Sequence, residues 1–268
     1  MNENAIDADR TKSPSRTAIK KLYQTSGIQP SRYMKDFGCQ YLGTCSSSQR
    51  GRDSSVRFCT GTWPYIGAHY GNALVAGRSI RVLFVAMERG GTFRPESEKE
   101  FADTQTNFRS NTELRWNPHM GGTSQLMECL VQSKDRRLFS QQFALTNAVK
   151  CVQATNSQNC SSTPAMISEC SKHLRNEIKS LKPHLVITQG EHPRRTVLDL
   201  FGAKHIRNFP GQAGESGRAE VMVVDRFVIL TTPHPARKAG WKWKNGLLPE
   251  FLQSAVSCAI AEVKKLRW

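Results

Sequence analysis

The sequence predicts an α/β fold, a three-layer α/β/α sandwich around a small, mostly parallel four-stranded sheet, and three observations carry that expectation. Four short apolar runs, residues 82–86, 143–146, 185–188 and 227–230, lack the polar alternation of a half-solvated strand, as strands covered on both faces do. Between the second and third runs Pro164 opens a segment, 165–181, in which Ile167, Cys170, Leu174, Ile178 and Leu181 recur every three to four residues, the spacing of one helix face. The last segment, 249–266, repeats the pattern with Phe251, Leu252, Ala255, Ala259 and Val263. It ends in Lys264, Lys265 and Arg267, cations that suit a helix C-terminus.

The remaining segments follow in order. Residues 1–30 hold few large apolar groups and are expected to form a flexible basic tail, leaving 31–268 as a single domain. Residues 33–76 carry Cys39, Cys45 and Cys59 among Gly, Ser and Thr with no sustained period, so no regular element is predicted there. A charged insertion at about 92–117 interrupts the α/β rhythm after the first strand, where loops lie near the functional edge of such sheets. No internal repeat at a solenoid period is present.

Composition narrows the partners. Thirty-eight Lys plus Arg against 22 Asp plus Glu give a net charge of +16, and the pI is near 9.8, a balance that attracts polyanions and puts DNA or another nucleic acid first. Acidic membrane surfaces come second, since no amphipathic basic helix of the needed length is evident, and no apolar run approaches the ~18 residues of a span. Residues 1–30 have no apolar core of a secretory signal, so the expected location is the cytoplasm, with the nucleoid or nucleus as the place of work. Eight cysteines in that setting point to thiols or metal ligation rather than a disulfide framework.

Ligands of open α/β sheets bind beyond the carboxyl ends of the strands, and the residues there are unusually polar. Met87, Glu88, Arg89, Gly90 and Gly91 follow the first run, Asn147 the second, Gln189 and Gly190 the third, and Pro233, His234 and Pro235 the fourth. A carboxylate, an amide, an imidazole and a glycine turn are thereby expected to meet in one crevice.

In this order the pieces resemble the uracil-DNA glycosylase superfamily, in particular its iron–sulfur branch, families 4 and 5, over roughly residues 59–262. Val85-Ala86-Met87-Glu88-Arg89-Gly90 stands where that branch runs a strand into a Gly-Glu-Ala-Pro-Gly turn, and 118–127 is similar to its Pro-Phe-Val-Gly-x-Ala-Gly-x-Leu-Leu segment. Thr146-Asn147-Ala148-Val149-Lys150-Cys151 is close to its Thr-Asn-Val-Val-Lys-Cys, and Thr163-Pro164 leads to Cys170 as its Thr-Pro-x-Glu run leads to a cysteine. Residues 181–190 fit its Lys-Pro-x-x-Ile-Val-Thr-Leu-Gly strand, and His234-Pro235-Ala236 matches its second active-site motif. The departures are Met87, Glu88 and Arg89 in the turn, His119 in place of a ring-stacking Phe, and the insertion at 92–117.

The resemblance implies a monomeric DNA-repair glycosylase that flips a damaged base, uracil first, and hydrolyses its N-glycosidic bond. Glu88 falls where the best-known members place a catalytic Asp and would orient a water and stabilise charge on the sugar. His234, stiffened by prolines on both sides, would donate to the base oxygen that gains charge. Asn147 offers a donor and an acceptor matched to uracil, and Met87 and His119 would line the base site. Arg237, Lys238, Lys242 and Lys244, interleaved with Trp241 and Trp243, supply phosphate charge and stacking rings. Cys151 and Cys170, 19 residues apart, sit at the family's third and fourth cluster ligands. The family's C-x2-C pair is missing, so Cys45 and Cys59 are expected to complete a [4Fe–4S] site, with Cys39 in reserve and zinc as the other metal the same thiolates would accept. Cys160 is incidental, and Cys129 and Cys258 read as buried small hydrophobes. Two rival expectations are a catalytically inactive nucleic-acid-binding module of the same fold, favoured by the altered turn, and a metal-thiolate redox sensor.

Overall fold

The computed structural model describes residues 14–28, 38–48, 57–60, 64–87, 118–135, 139, 141–154, 159–160, 162–211, 217–235 and 248–267. Its centre is formed by the four predicted runs, three of them one or two residues longer: β5 (Val82–Ala86), β6 (Phe143–Asn147), β9 (Leu185–Gln189) and β12 (Phe227–Thr232). They pair in parallel in the order β12-β9-β5-β6. Alternation sends Val82 and Phe84 into one core and Leu83 and Val85 into the other, so these strands are apolar throughout because both faces are covered.

The sheet is larger than the four strands predicted. It has seven, because β10 (Lys204–Pro210) and β11 (Arg218–Val224) add antiparallel beyond β12, and β2 (Tyr65–Ile66) adds antiparallel to β6. β10 escaped prediction because it is an edge strand with almost every residue exposed, and β11 because Arg218 and Glu220 break its apolar run. Two smaller sheets lie outside: β3 (Ala73–Val75) with β4 (Arg78–Ile80), and β7 (Cys151–Ala154) flanked by β1 (Arg57–Thr60) and β8 (Asn159–Cys160).

Helices cover both faces. On one, α3 (Pro118–Val131) and α6 (Glu250–Lys265) bury Leu126, Met127, Leu130, Phe251, Leu252, Val256 and Val263 against β5, β9, β11 and β12. On the other, α4 (Pro164–Leu181) and α5 (Glu191–Phe201) bury Leu174, Ile178, Leu181 and Val197. The predicted helix after Pro164 forms because Thr163 accepts from the Met166 amide at 3.2 Å while Pro164, which has no amide to satisfy, occupies the first turn.

Two segments differ from expectation. Residues 14–28, assigned by composition to the tail, contain α1 (Pro14–Thr25), which buries Ile19 and Tyr23 in the second core beside α4, and Ile28, just past the helix, joins them there. Few apolar groups suffice there because they lie on one face. Residues 33–76, expected to be irregular, contain the short α2 (Leu42–Ser47) and β1 to β3; only the two-to-six-residue length of each piece hid them from periodicity. The insertion at 92–117 lies outside the described residues. Among the described residues no helix is long and apolar enough to cross a membrane.

Candidate active site

Register brings the polar residues together. Ala86 pairs with Asn147, Val85 with Thr188, and Thr232 with Gln189, so the carboxyl ends of the four central strands finish level. Past that line β6 and β5 are stitched by two further bonds, Ala148 N–H to the Ala86 carbonyl at 2.7 Å and Val149 N–H to the Met87 carbonyl at 2.8 Å. On the other side the Gly190 amide donates to the Thr232 carbonyl at 2.8 Å. Met87, Asn147, Gln189 and His234 thus stand at one edge, as the topology of the parallel strands requires.

A cavity of about 490 Å³ opens at this edge, with Met87, Gln189, Gly190, Thr232, Pro233 and His234 on its floor and Glu191, His192, Arg194 and Arg218 on its outer wall. Gly190 is a glycine of necessity: its φ is +108°, and a Cβ would lie 3.4 Å from that of His234. The tight turn lets α5 begin directly beside the histidine.

His119, in the first turn of α3, lies over His234 with the rings 5.3 Å apart and 12° from parallel. Its Nε2 donates to Gln189 Oε1 at 2.8 Å, and Gln189 Nε2 donates to Thr123 Oγ1 at 2.9 Å. The Thr123 hydroxyl in turn donates to the His119 carbonyl at 3.0 Å, closing a loop that fixes ring and amide together. Burial first, and the neighbouring His234 second, lower the His119 pKa to about 4, so the ring is neutral at physiological pH and works as a donor through Nε2. Sequence reading placed Gln189 at a strand end without giving it a role, and gave Thr123 none. The signal was present in Gln189, the polar end of an apolar run at a strand terminus.

The outer wall is charged but compensated. Arg194 makes a two-pronged contact to Glu220, which Arg218 also approaches at 3.4 Å. Burial raises the Glu220 carboxyl, but the Arg194 hydrogen bonds and the charges of Arg194 and Arg218 outweigh it and leave it below its ordinary value. Glu220 is therefore an anion that orients two arginines at the cavity rim.

A second polar constellation adjoins the first. Cys45, Cys151 and Cys170 are buried in one small core with Val149 and Met166, and Cys39 and Met87 pack against it. The Cys151 thiol donates to Cys170, a bond that with burial pushes Cys151 up; the same bond and the Lys150 amide, which donates to the Cys170 sulfur at 3.3 Å, hold the Cys170 thiol below its ordinary value. Burial, with the charge of Cys170 and Cys39, raises Cys45 to about 11. The donor chemistry, soft sulfurs in an apolar cup with an amide aimed at one of them, suits a thiolate-held metal group. Among the described residues no three His, Cys, Asp or Glu stand in an arrangement that could hold an ion. Cys59 lies on β1 opposite Val152, beside the pair Thr60 and Cys151; its side chain is outside the described residues. Cys129 and Cys258, predicted buried, are half-buried and pack on the edge of the larger core.

Of the residues predicted for the site, the structure brings Met87, His119, Asn147 and His234 to one edge of the sheet. Glu88, Arg237, Lys238, Trp241, Trp243, Lys242 and Lys244 lie outside the described residues. No curated protein matches the chain. The family model described as "Uracil DNA glycosylase superfamily" matches residues 76–255, more than half of the 268-residue chain, and takes in all four strand ends and the cavity. By that match the chain belongs to the uracil DNA glycosylase superfamily.

Proposed function

We propose that this protein is a DNA-repair glycosylase that turns a damaged base, uracil foremost, out of DNA and hydrolyses its N-glycosidic bond. The observation that carries the reading is the meeting of Asn147, Met87 and His234 at the ends of the central parallel strands, beside a cavity of about 490 Å³, in a chain of this superfamily. A net charge of +16 supplies the general affinity for a phosphate backbone.

In this reading the C1′–N bond breaks with its electron pair passing to the base, and water adds its hydroxyl to C1′. His234 donates a hydrogen bond to the base oxygen where the negative charge gathers, which favours the transition state over the bound substrate. The stacked His119 is neutral and adds no positive charge beside it. Asn147 pairs with the polar edge of the flipped base, its amide offering donor and acceptor together. Glu88, which follows Met87 directly, orients the water and takes its proton. The group Arg237, Lys238, Trp241 and Lys242 follows His234 in sequence and serves the phosphates and bases on either side of the lesion.

Cys45, Cys151 and Cys170, with Cys59 or Cys39 as the fourth sulfur, would hold a [4Fe–4S] cluster, and zinc is the alternative for the same donors. Such a group would supply a rigid cross-link between the N-terminal region and β7. Protein purified without oxygen should be brown and contain about four irons per chain. Colourless protein with stoichiometric zinc would decide for the alternative.

The test of activity is incubation with single- and double-stranded oligonucleotides carrying uracil, hypoxanthine or xanthine, followed by alkaline cleavage of abasic sites. Strand scission at one of these bases is expected. DNA binding without scission at any of them would mean an inactive binding module with the same fold.

A further inference from the structure

Four polar side chains lie in the core beneath Asn147, and the reaction described above uses none of them. Tyr23, Thr146, Lys150 and Glu177 are each at most 5% exposed. The Lys150 ammonium spends its three protons on the Asn147 carbonyl, Thr146 Oγ1 at 3.0 Å and Glu177 Oε2 at 2.6 Å. Glu177 Oε2 also accepts from the Thr146 hydroxyl at 2.7 Å, and Glu177 Oε1 accepts from the Tyr23 hydroxyl at 2.5 Å. Every donor of the ammonium is used, as a charge in an apolar core requires.

Stability alone does not account for the arrangement. Well-packed apolar residues in place of a buried ion pair are often neutral or stabilising, so a fully buried pair is weak evidence for a stabilising role. What the pair does hold is a place. Asn147 is the last residue of β6, and beyond it the Ala148 and Val149 amides bond to the carbonyls of Ala86 and Met87. The ammonium grips the carbonyl between, so the main chain is held on both sides of the residue that faces the base. Tyr23 comes from α1, which precedes the matched family region at 76–255.

We infer that Lys150, Glu177 and Tyr23 are positioning residues that fix the main chain at Asn147, so that the N-terminal helix helps to set how well the pocket engages a base. The inference rests on the reading that Asn147 meets the flipped base. A displacement of about 1 Å at such a residue can cost up to roughly 100-fold in rate.

The experiment is single-turnover excision from a uracil-containing oligonucleotide with enzyme titrated, which separates the maximal rate from the half-saturating concentration, alongside thermal melts. Tyr23→Phe keeps the ring in the core and removes one hydrogen bond. It should lower the maximal rate by about three- to tenfold and leave half-saturation within about twofold, since phosphate contacts dominate affinity. Lys150→Met should approach the loss seen in Asn147→Ala, and Lys150→Arg should recover part of it. If Lys150→Met does not fold, Tyr23→Phe decides.

Wild-type maximal rates in Tyr23→Phe and in any folded Lys150→Met, beside an impaired Asn147→Ala, would overturn the inference and leave the site reading intact. A rise in half-saturating concentration as large as the fall in rate would also overturn it, as the mark of a generally loosened protein. Should the wild-type protein excise nothing, or Asn147→Ala excise as fast as wild type, the site reading itself falls and takes the inference with it.

Discussion

His234 and Asn147 stand on the same sheet edge, and the proposed reaction gives them different stages, which substitution separates. His234→Ala removes a donor to the departing base and should slow single-turnover excision by at least about tenfold, a single donor of this kind often being worth roughly 100-fold, with DNA affinity nearly unchanged. Asn147→Asp should instead shift base preference, because a carboxylate cannot donate to a carbonyl oxygen and accepts from an amino group. Rates on uracil and cytosine oligonucleotides check both, and an unchanged preference in Asn147→Asp would remove that side chain from base reading. These residues were legible in sequence because each ends an apolar run at which a parallel strand must stop. His119 was legible as a site residue but not in its partners, since its tie to Gln189 spans 70 positions and its stacking on His234 more than a hundred. No local pattern encodes such pairings.

The turn from β9 into α5 is the element on which the site depends most closely. Gly190 sits at φ +108° and ψ 171°, a region essentially closed to residues with a Cβ, and the nearest atoms to a Cβ built there belong to the His234 side chain. Gly190→Ala should therefore destabilise the protein by about 1–3 kcal/mol and reduce excision further than the lost stability explains, as relief of the strained turn shifts the chain beside the imidazole. Denaturant melts and excision rates measured together would test this, and wild-type values in both would show that the turn relaxes freely. The central strands and α4 could be read because burial on both faces, or on one helical stripe, leaves a periodic trace. β2, β10 and the segment with β1 leave none: a two-residue strand has no period, and an edge strand with nearly every residue exposed has no apolar face. The helix α1 was missed for a related reason, its two buried apolar residues being too few to lift the average composition of a basic segment.

Charge and protonation act on the molecule as a whole. With a net charge of +16, DNA affinity should fall steeply with salt, log K declining by about 0.9 per tenfold rise in salt for each duplex phosphate contacted; a salt-independent affinity would exclude a phosphate-led interface. Stability should fall with pH below neutrality for a different reason. His119 and His184 are each lowered to about 4, chiefly by burial, with His234 and Arg81 respectively adding to it, whereas unfolded imidazoles titrate near 6.5. Between about pH 6.5 and 4 the unfolded chain therefore binds more protons than the folded one, and unfolding gains on folding as acid is added. Urea midpoints should drop across that window; a constant midpoint would refute it. The level strand ends carry one more consequence. Met87, Asn147, Gln189 and His234 come from four strands spread over most of the chain, and they share an edge only while the whole parallel centre is in register. The cavity is lined from the ends of β5, β9 and β12, and β6 is bonded to β5 beside it, so a ligand seated there acts as a clasp on the parallel centre. An abasic-site oligonucleotide at 100 times its Kd should raise the unfolding free energy by about 2.7 kcal/mol and protect amides of β5, β6, β9 and β12 from exchange together, although it touches only their tips.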